Sequence, residues 1–350
     1  MNITTAIAVN CFRRGGGMES YTFDLVRGLN AEGIRPLVYA AQIDETIPEY
    51  ALADVVHINQ KKVLKKLRPF FFAWQLTAAR QGAEKLIACN PSNDADVFAC
   101  GGTHLGYLRH MQQKANWLDK LIIRRNRTNY TTAKSIMAHS KMMMRELVED
   151  YQVPSEKVRV VYPPADTERY FPLPDQIAEL RQRFGFADHE TIFLFPSTGH
   201  KRKGLPVLAR FFEQTDLPVR LVVAGSPLPH PIKNVTELGF CREMPDLYRA
   251  ADFTVMASQY EPFGLVGVES VLCGTKVVFS KNIACTEIMN DQAGFFFDRE
   301  NDAELAAAIE QAHALKLSGA HKIVQPLNAL QYDPSLPAHM KALHEMLDTV

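Results

Sequence analysis

The chain has 350 residues, room for two domains of ordinary size. Hydrophobic residues make up 47% and charged residues 22%, which excludes a mostly disordered chain. Basic and acidic residues balance at 39 each, and a formal charge of zero argues against a nucleic-acid or membrane-surface protein. Ile3–Val9 reads as the first strand. Met18–Ala31 reads as a helix, because Met18, Tyr21, Leu25 and Leu29 recur at helical spacing and Gly33 closes the segment. Pro36–Ala41, Asp54–Ile58, Asp96–Cys100 and Ser135–Ser140 are further strands. Lys141–Tyr151 is a helix and Val158–Tyr162 a strand.

At Pro163-Pro164-Ala165-Asp166 the rhythm breaks, and Pro172 and Pro174 follow, so an interdomain linker is expected here. The alternation then restarts. Strands are predicted at Ile192–Phe195, Val219–Ala224, Phe253–Met256, Lys276–Phe279 and Gly294–Phe297. Helices are predicted at Leu205–Gln214, Met244–Ala251, Leu265–Leu272 and Ala303–Ala314. Strand–helix alternation argues for two doubly wound α/β domains in series, with ligands at the carboxyl ends of their strands. The expected division is 1–165, 166–330, and a terminal helix over 331–350 that packs back on the first domain.

The six cysteines form no CxxC pair and read as buried free thiols in a reducing compartment, not as a disulfide frame or a zinc site. The first residues lack the basic start of a signal peptide, and no apolar run reaches 18 residues. A cytoplasmic location is the expectation.

Three constellations carry chemistry. Gly15-Gly16-Gly17 separates the first strand from the first helix, where a backbone can approach an anion closely. It is not GxGxxG, and a flexible turn reads equally well. His200-Lys201-Arg202-Lys203-Gly204 follows a strand end and suits a diphosphate, with a solvated charge run as the plainer reading. Glu261-Pro262-Phe263-Gly264-Leu265-Val266-Gly267-Val268-Glu269 is the sharpest. It sets two carboxylates around a helix N-terminus, an arrangement fit for sugar hydroxyls and phosphate together. The plainer reading makes Glu261 a helix cap and Glu269 a solvated residue. Asp94-Ala95-Asp96 reads as a turn of solvated acids rather than a metal motif.

These pieces in this order resemble the retaining GT-B glycosyltransferases of family 4. The likeness covers roughly 1–300 and includes E-x7-E at Glu261 and Glu269, Lys203-Gly204, the glycine loop, and the linker Val160–Asp166. It implies a GT-B fold, two Rossmann-like domains facing one interdomain cleft, and a nucleotide-diphosphate-sugar co-substrate, a UDP-sugar being favoured. It implies no metal and no other cofactor. His104, Lys203 and Glu261 would be catalytic. Gly16, Gly17, Arg202, Lys203, Phe263, Gly264, Leu265, Val266 and Glu269 would bind the donor. Ser197-Thr198 and Pro164-Ala165 depart from the family's usual Gly-Arg and Asn-Gly.

The zero charge hides a split. Residues 1–165 hold 22 basic and 15 acidic side chains, and 166–350 hold 17 and 24. Within 61–145 the count is 16 basic to 4 acidic. Lys61-Lys62-Val63-Leu64-Lys65-Lys66-Leu67-Arg68 leads into Pro69-Phe70-Phe71-Phe72-Ala73-Trp74. Such a segment suits peripheral contact with an anionic membrane, on the inner face of the cytoplasmic membrane, or an anionic acceptor. Alternatively its phenylalanines face the core. The acceptor expected is a glycan or glycolipid of the lipopolysaccharide-core or another envelope type, and not nucleic acid. A non-catalytic nucleotide-sugar binder and a transferase with a soluble small acceptor are the competing expectations.

Overall fold

The computed structural model describes residues 4–64, 67–80 and 84–350. Lys65 and Lys66 lie outside the described residues. The chain divides into two compact units, Met1–Pro164 with Pro334–Val350, and Ala165–Asp333.

The amino-terminal unit begins with β1 (Thr4–Phe12), α1 (Gly17–Ala31), β2 (Leu37–Ile43), β3 (Asp54–His57), α2 (Arg68–Ala79), β4 (Glu84–Ala88) and β5 (Val97–Cys100). It continues through α3 (His104–His110), α4 (Trp117–Thr132), β6 (Ser135–Ala138), α5 (Lys141–Arg145) and β7 (Val158–Val160). The strands lie parallel in the order β3-β2-β1-β4-β5-β6-β7. Central strands are nearly continuous apolar runs because helices cover both faces. Ala6, Ile7, Ala8 and Val9 of β1 are buried, as are Tyr21, Leu25, Val26 and Leu29 of α1.

The second unit holds α6 (Ile177–Arg183), β8 (Thr191–Ser197), α7 (His200–Lys203), α8 (Leu205–Gln214), β9 (Val219–Gly225) and β10 (Val235–Gly239). Then come α9 (Met244–Ala250), β11 (Phe253–Met256), α10 (Leu265–Leu272), β12 (Lys276–Ser280), β13 (Gly294–Phe297) and α11 (Asp302–Leu317). Its parallel order is β10-β9-β8-β11-β12-β13. The chain then returns to the first unit as α12 (Leu336–Asp348), whose Met340, Leu343, Met346 and Leu347 join that unit's core.

Strand order reverses between β1 and β4 in one unit and between β8 and β11 in the other. In open parallel sheets the ligand crevice opens at such a switch, beyond the strands' carboxyl ends. The Gly15–Gly17 loop leaves β1 there, and the Lys201–Lys203 and Glu261 segments leave β8 and β11.

Two expectations need correction. Asp96 is not a solvated acid. It is buried, accepts the Leu86 N–H at 2.7 Å and pairs with Lys134 at 2.7 Å, so it buttresses β4 against β5. The phenylalanines of α2 do not share one environment: Phe72 is in the core, Phe70 and Phe71 are half-buried, and Trp74 is exposed. All six cysteines are free, but only Cys89, Cys100, Cys273 and Cys285 are buried as expected, while Cys11 and Cys241 are half-buried.

Candidate active site

Beyond β8 the chain turns through Gly199 into α7. His200 locks this turn, with Nδ1 2.9 Å from Ser197 Oγ and Nε2 3.1 Å from the carbonyls of Ser226 and Pro227. Lys201 is left exposed while Arg202 and Lys203 are half-buried. Arg202 Nη1 donates to Glu261 Oε2 at 2.7 Å and to the Tyr260 carbonyl at 2.8 Å. Lys203 Nζ donates to the Pro196 carbonyl at 3.1 Å, its one hydrogen-bond acceptor among the described residues. An ammonium has three protons to give. Burial pushes the Lys203 ammonium below its usual pKa, opposed by the Glu261 carboxylate.

Gly204 closes α7 at φ +90°, and a Cβ there would sit 2.0 Å from the Ala257 carbonyl oxygen. That contact is where the two switch-point loops are stitched. Ala257 N–H donates to Lys203 O at 3.2 Å and Gln259 N–H to Arg202 O at 2.9 Å.

After β11, Glu261 and Phe263 are held by their carbonyls, which accept from the N–H groups of Ala284 at 3.0 Å and Cys285 at 2.7 Å. Phe263 is buried. Gly264 starts α10 at φ +93°, and no side chain caps the helix. The first N–H groups, from Leu265 and Val266 onward, therefore form an electropositive end without a side-chain acceptor. Glu261 is not a cap, since its carboxylate is bound by Arg202. Nor is Glu269 on a solvated face. It accepts the Tyr248 hydroxyl at 3.0 Å and is also bonded by Tyr170. Burial raises its carboxyl pKa, countered by those hydroxyls and by the charges of Arg169 and Lys203. The structure thus brings Arg202, Lys203, Glu261, Phe263, Gly264, Leu265, Val266 and Glu269 together around one switch point.

In the first unit Gly16 precedes α1 and donates its N–H to Glu19 Oε2 at 3.0 Å. A Cβ on Gly17 would meet nothing within 4 Å, so packing does not demand a glycine there. His104 opens α3 behind the capping residue Thr103, whose Oγ1 accepts the Gly106 N–H at 3.0 Å. His104 Nε2 lies 2.9 Å from Asp119 Oδ1. The other oxygen of Asp119 accepts the Asn116 N–H at 2.9 Å. That bond, and then the one from His104, hold the Asp119 carboxyl below its usual pKa. Sequence reasoning missed Asp119 and the Tyr170–Tyr248 pair. A signal for Asp119 existed: it is the single acidic residue between 97 and 145.

Residues 176–324 match the family described as Glycosyl transferases group 1, and residues 15–169 match Glycosyltransferase Family 4. A Burkholderia thailandensis protein described as a probable transglycosylase is 39% identical over 351 residues, covering 98% of this chain and 96% of that one. The chain belongs to the family 4, group 1 glycosyltransferases. A protein from Thermobispora bispora described as a D-inositol 3-phosphate glycosyltransferase is 31% identical over 205 residues, which are 51% of this chain and 47% of that protein. Among solved structures, WaaG, a glycosyltransferase involved in lipopolysaccharide biosynthesis, superposes with a TM-score of 0.82 at 16% identity, covering 98% of this chain and 99% of that one. Anabaena HepE, solved with UDP and glucose, gives a TM-score of 0.79 at 18% identity, with both chains covered in full. This glycosyltransferase therefore has the GT-B fold, with two Rossmann-like sheets of seven and six strands.

Proposed function

We propose that the protein moves a hexosyl group from a nucleotide-diphosphate-sugar, a UDP-sugar in preference, to a hydroxyl of a glycan or glycolipid acceptor in the cell envelope, with retention of anomeric configuration. Lys203 carries this reading. A half-buried ammonium with one protein acceptor, beside Arg202 and at the same switch point from which the uncapped α10 starts, is a cradle for a diphosphate. Glu269 would take the ribose hydroxyls, and Glu261, oriented by Arg202, the hydroxyls of the transferred sugar. Gly16 and Gly17 would let the backbone approach the donor. HepE, solved with UDP and glucose, supports the choice of nucleotide.

In the proposed step the acceptor oxygen bonds to the anomeric carbon as the bond from that carbon to the diphosphate oxygen breaks. The departing diphosphate takes the acceptor's proton on the same face. Negative charge grows on the diphosphate, and Arg202, Lys203 and the α10 N-terminus are placed to stabilise it. Cationic side chains in this role make the reaction independent of a metal. His104, held by Asp119, would stand at the anomeric centre. The lipopolysaccharide role of WaaG supports an envelope acceptor, reached from the cytoplasmic side of the membrane through residues 61–74.

The name of the Burkholderia relative favours a second reading, in which the sugar comes from a glycoside rather than a nucleotide. Thermal shifts with UDP-, GDP- and ADP-sugars separate the two, because a ligand of the folded state raises the melting temperature. The nucleotide reading expects a shift that Lys203→Ala abolishes and turnover that Glu261→Ala abolishes and EDTA leaves unchanged. NMR of the product gives the anomeric outcome. No shift with any nucleotide-sugar would sink it.

A further inference from the structure

Helix α3 starts with His104, has seven residues, and buries only Gly106 and Leu108. A helix this short does not hold itself, so its tertiary contacts decide where His104 stands. Asp119 of α4 holds the ring. A second set of contacts holds the backbone, and it comes from the π-helical turn Glu146–Asp150 that continues α5. Thr103 Oγ1 donates to Glu146 Oε2 at 2.5 Å while it accepts the Gly106 N–H. Tyr151 Oη accepts the Leu105 N–H at 3.0 Å, and Arg109 Nη1 donates to Asp150 Oδ1 at 2.6 Å. The residues on either side of His104 are thus both fastened to this turn or its end.

Glu146 is the costly member of the set. It is 2% exposed. Arg109 Nη2 at 3.6 Å and His110 Nε2 at 3.5 Å flank its other oxygen, Oε1. Gly106 makes room for it, since a Cβ there would lie 2.1 Å from Oε2. A buried carboxyl group must be offset by its partners, and an apolar side chain of the same volume often serves stability as well or better. Nor does the helix cap require it, because threonine caps with its own oxygen. What Glu146 adds is direction. A capping hydroxyl that must also donate to a fixed oxygen has one rotamer left, and the first turn of α3 follows it.

We infer that Glu146 is a positioning residue for the transfer reaction: through Thr103 it fixes the start of α3 and with it the place of the His104 ring. This rests on the role proposed above for His104.

The probes are UDP-, GDP- and ADP-glucose, with water as acceptor and release of the nucleoside diphosphate as the signal. Glu146→Met fills the same volume and offers Thr103 no strong acceptor. It should lower kcat about tenfold or more, with donor KM and melting temperature little changed, because small misplacements at a reacting centre are costly. Glu146→Gln keeps an oxygen for the Thr103 hydroxyl and should restore most of the rate. Thr103→Val, which removes the hydroxyl itself, should behave as Glu146→Met does. The cycle with His104→Ala decides between position and mere structure: once the histidine is gone, Glu146→Met should cost nothing further. An equal loss in both backgrounds would overturn the inference, as would full activity of Glu146→Met. Full activity of His104→Ala would instead remove the reading on which it rests. Imidazole 15N shifts test the positioning with no sugar present. The neutral His104 ring should carry its proton on Nε2 in the wild type and in Glu146→Gln. In Glu146→Met it should move toward an average of the two tautomers, because a displaced ring loses its bond to Asp119. Unmoved His104 shifts in Glu146→Met and Thr103→Val would overturn the inference.

Discussion

Lys203 is the residue whose environment is hardest to explain without a ligand. The fold half-buries this side chain, which lowers the pKa of its ammonium, and offers it one carbonyl. Desolvation of this kind costs stability unless an anion arrives. Lys203→Ala should therefore leave the melting temperature of the free protein unchanged or raised, while lowering kcat by about 10²–10³, the scale of losing one preorganised charge at a leaving group. Melting curves and initial rates check both halves. A drop below tenfold would remove Lys203 from the reaction. Asp119 acts through its partner. Its bond to His104 Nε2 fixes the ring's orientation and puts the N–H on that nitrogen. Asp119→Asn should lower kcat by about tenfold or more with little change in KM, because a side chain at the reacting centre then loses its fixed orientation. His104→Ala in the same assay separates the possibilities. Full activity there would remove the histidine, whereas loss there with none in Asp119→Asn would make Asp119 a helix cap alone.

Helix α7 has four residues and no core of its own, so it is held by what it is stitched to. Gly204→Ala would need φ +90° from an alanine and a Cβ 2.0 Å from a carbonyl oxygen. The expected cost is about 2 kcal/mol or more, with loss of nucleotide binding as Arg202 and Lys203 shift. Urea denaturation and donor titration read it, and a fully stable, active variant would show that the α7–β11 stitching is dispensable. Much of this half-site was legible in the sequence, because its parts sit in short segments at strand ends, where glycine, charge and position coincide. What escaped lay in pairings across the chain. β4 begins Glu84-Lys85, which masks a central strand, and Lys85 Nζ finds its acceptor at the Leu347 carbonyl of the last helix. β10, at the sheet edge, is half polar and reads as loop. Asp96 looked solvated because its partners Leu86 and Lys134 are ten and more residues away. The motif around Glu261 was visible, but its contact with Arg202 bridges 59 positions that no local pattern spans.

The molecule as a whole is a chain that leaves its first unit and comes back to it, and the return is fastened by histidines. His339 of α12 sits 3.0 Å from the Tyr21 hydroxyl through Nε2 and 3.0 Å from the Tyr162 carbonyl through Nδ1. His139 packs edge-on against the same Tyr21 ring. Burial pushes these histidines down to about 4 and about 3. The unfolded chain takes up their protons near pH 6.5, which the folded unit resists. Stability from this source is therefore complete above about pH 6.5 and falls as pH drops toward 4, by up to roughly 2.7 kcal/mol per pH unit for two such groups. Over about two units that reaches the lower end of the roughly 5–15 kcal/mol by which a domain is stable. In the second unit Asp252 has its pKa lowered, so its contribution is lost at more acid pH, and His313 adds a smaller effect in the histidine range. The first unit should thus fail first on acidification. Urea pulse proteolysis at about pH 7.5 and about pH 5, with fragments identified by mass, should show the unit containing 4–164 and α12 losing its protection while 165–333 keeps more of it. His339→Gln should flatten the pH dependence by about half while lowering stability at neutral pH. Equal midpoints for the first unit at the two pH values would refute the histidine fastening, because two neutral buried imidazoles cannot be carried through that range without a proton-linked cost.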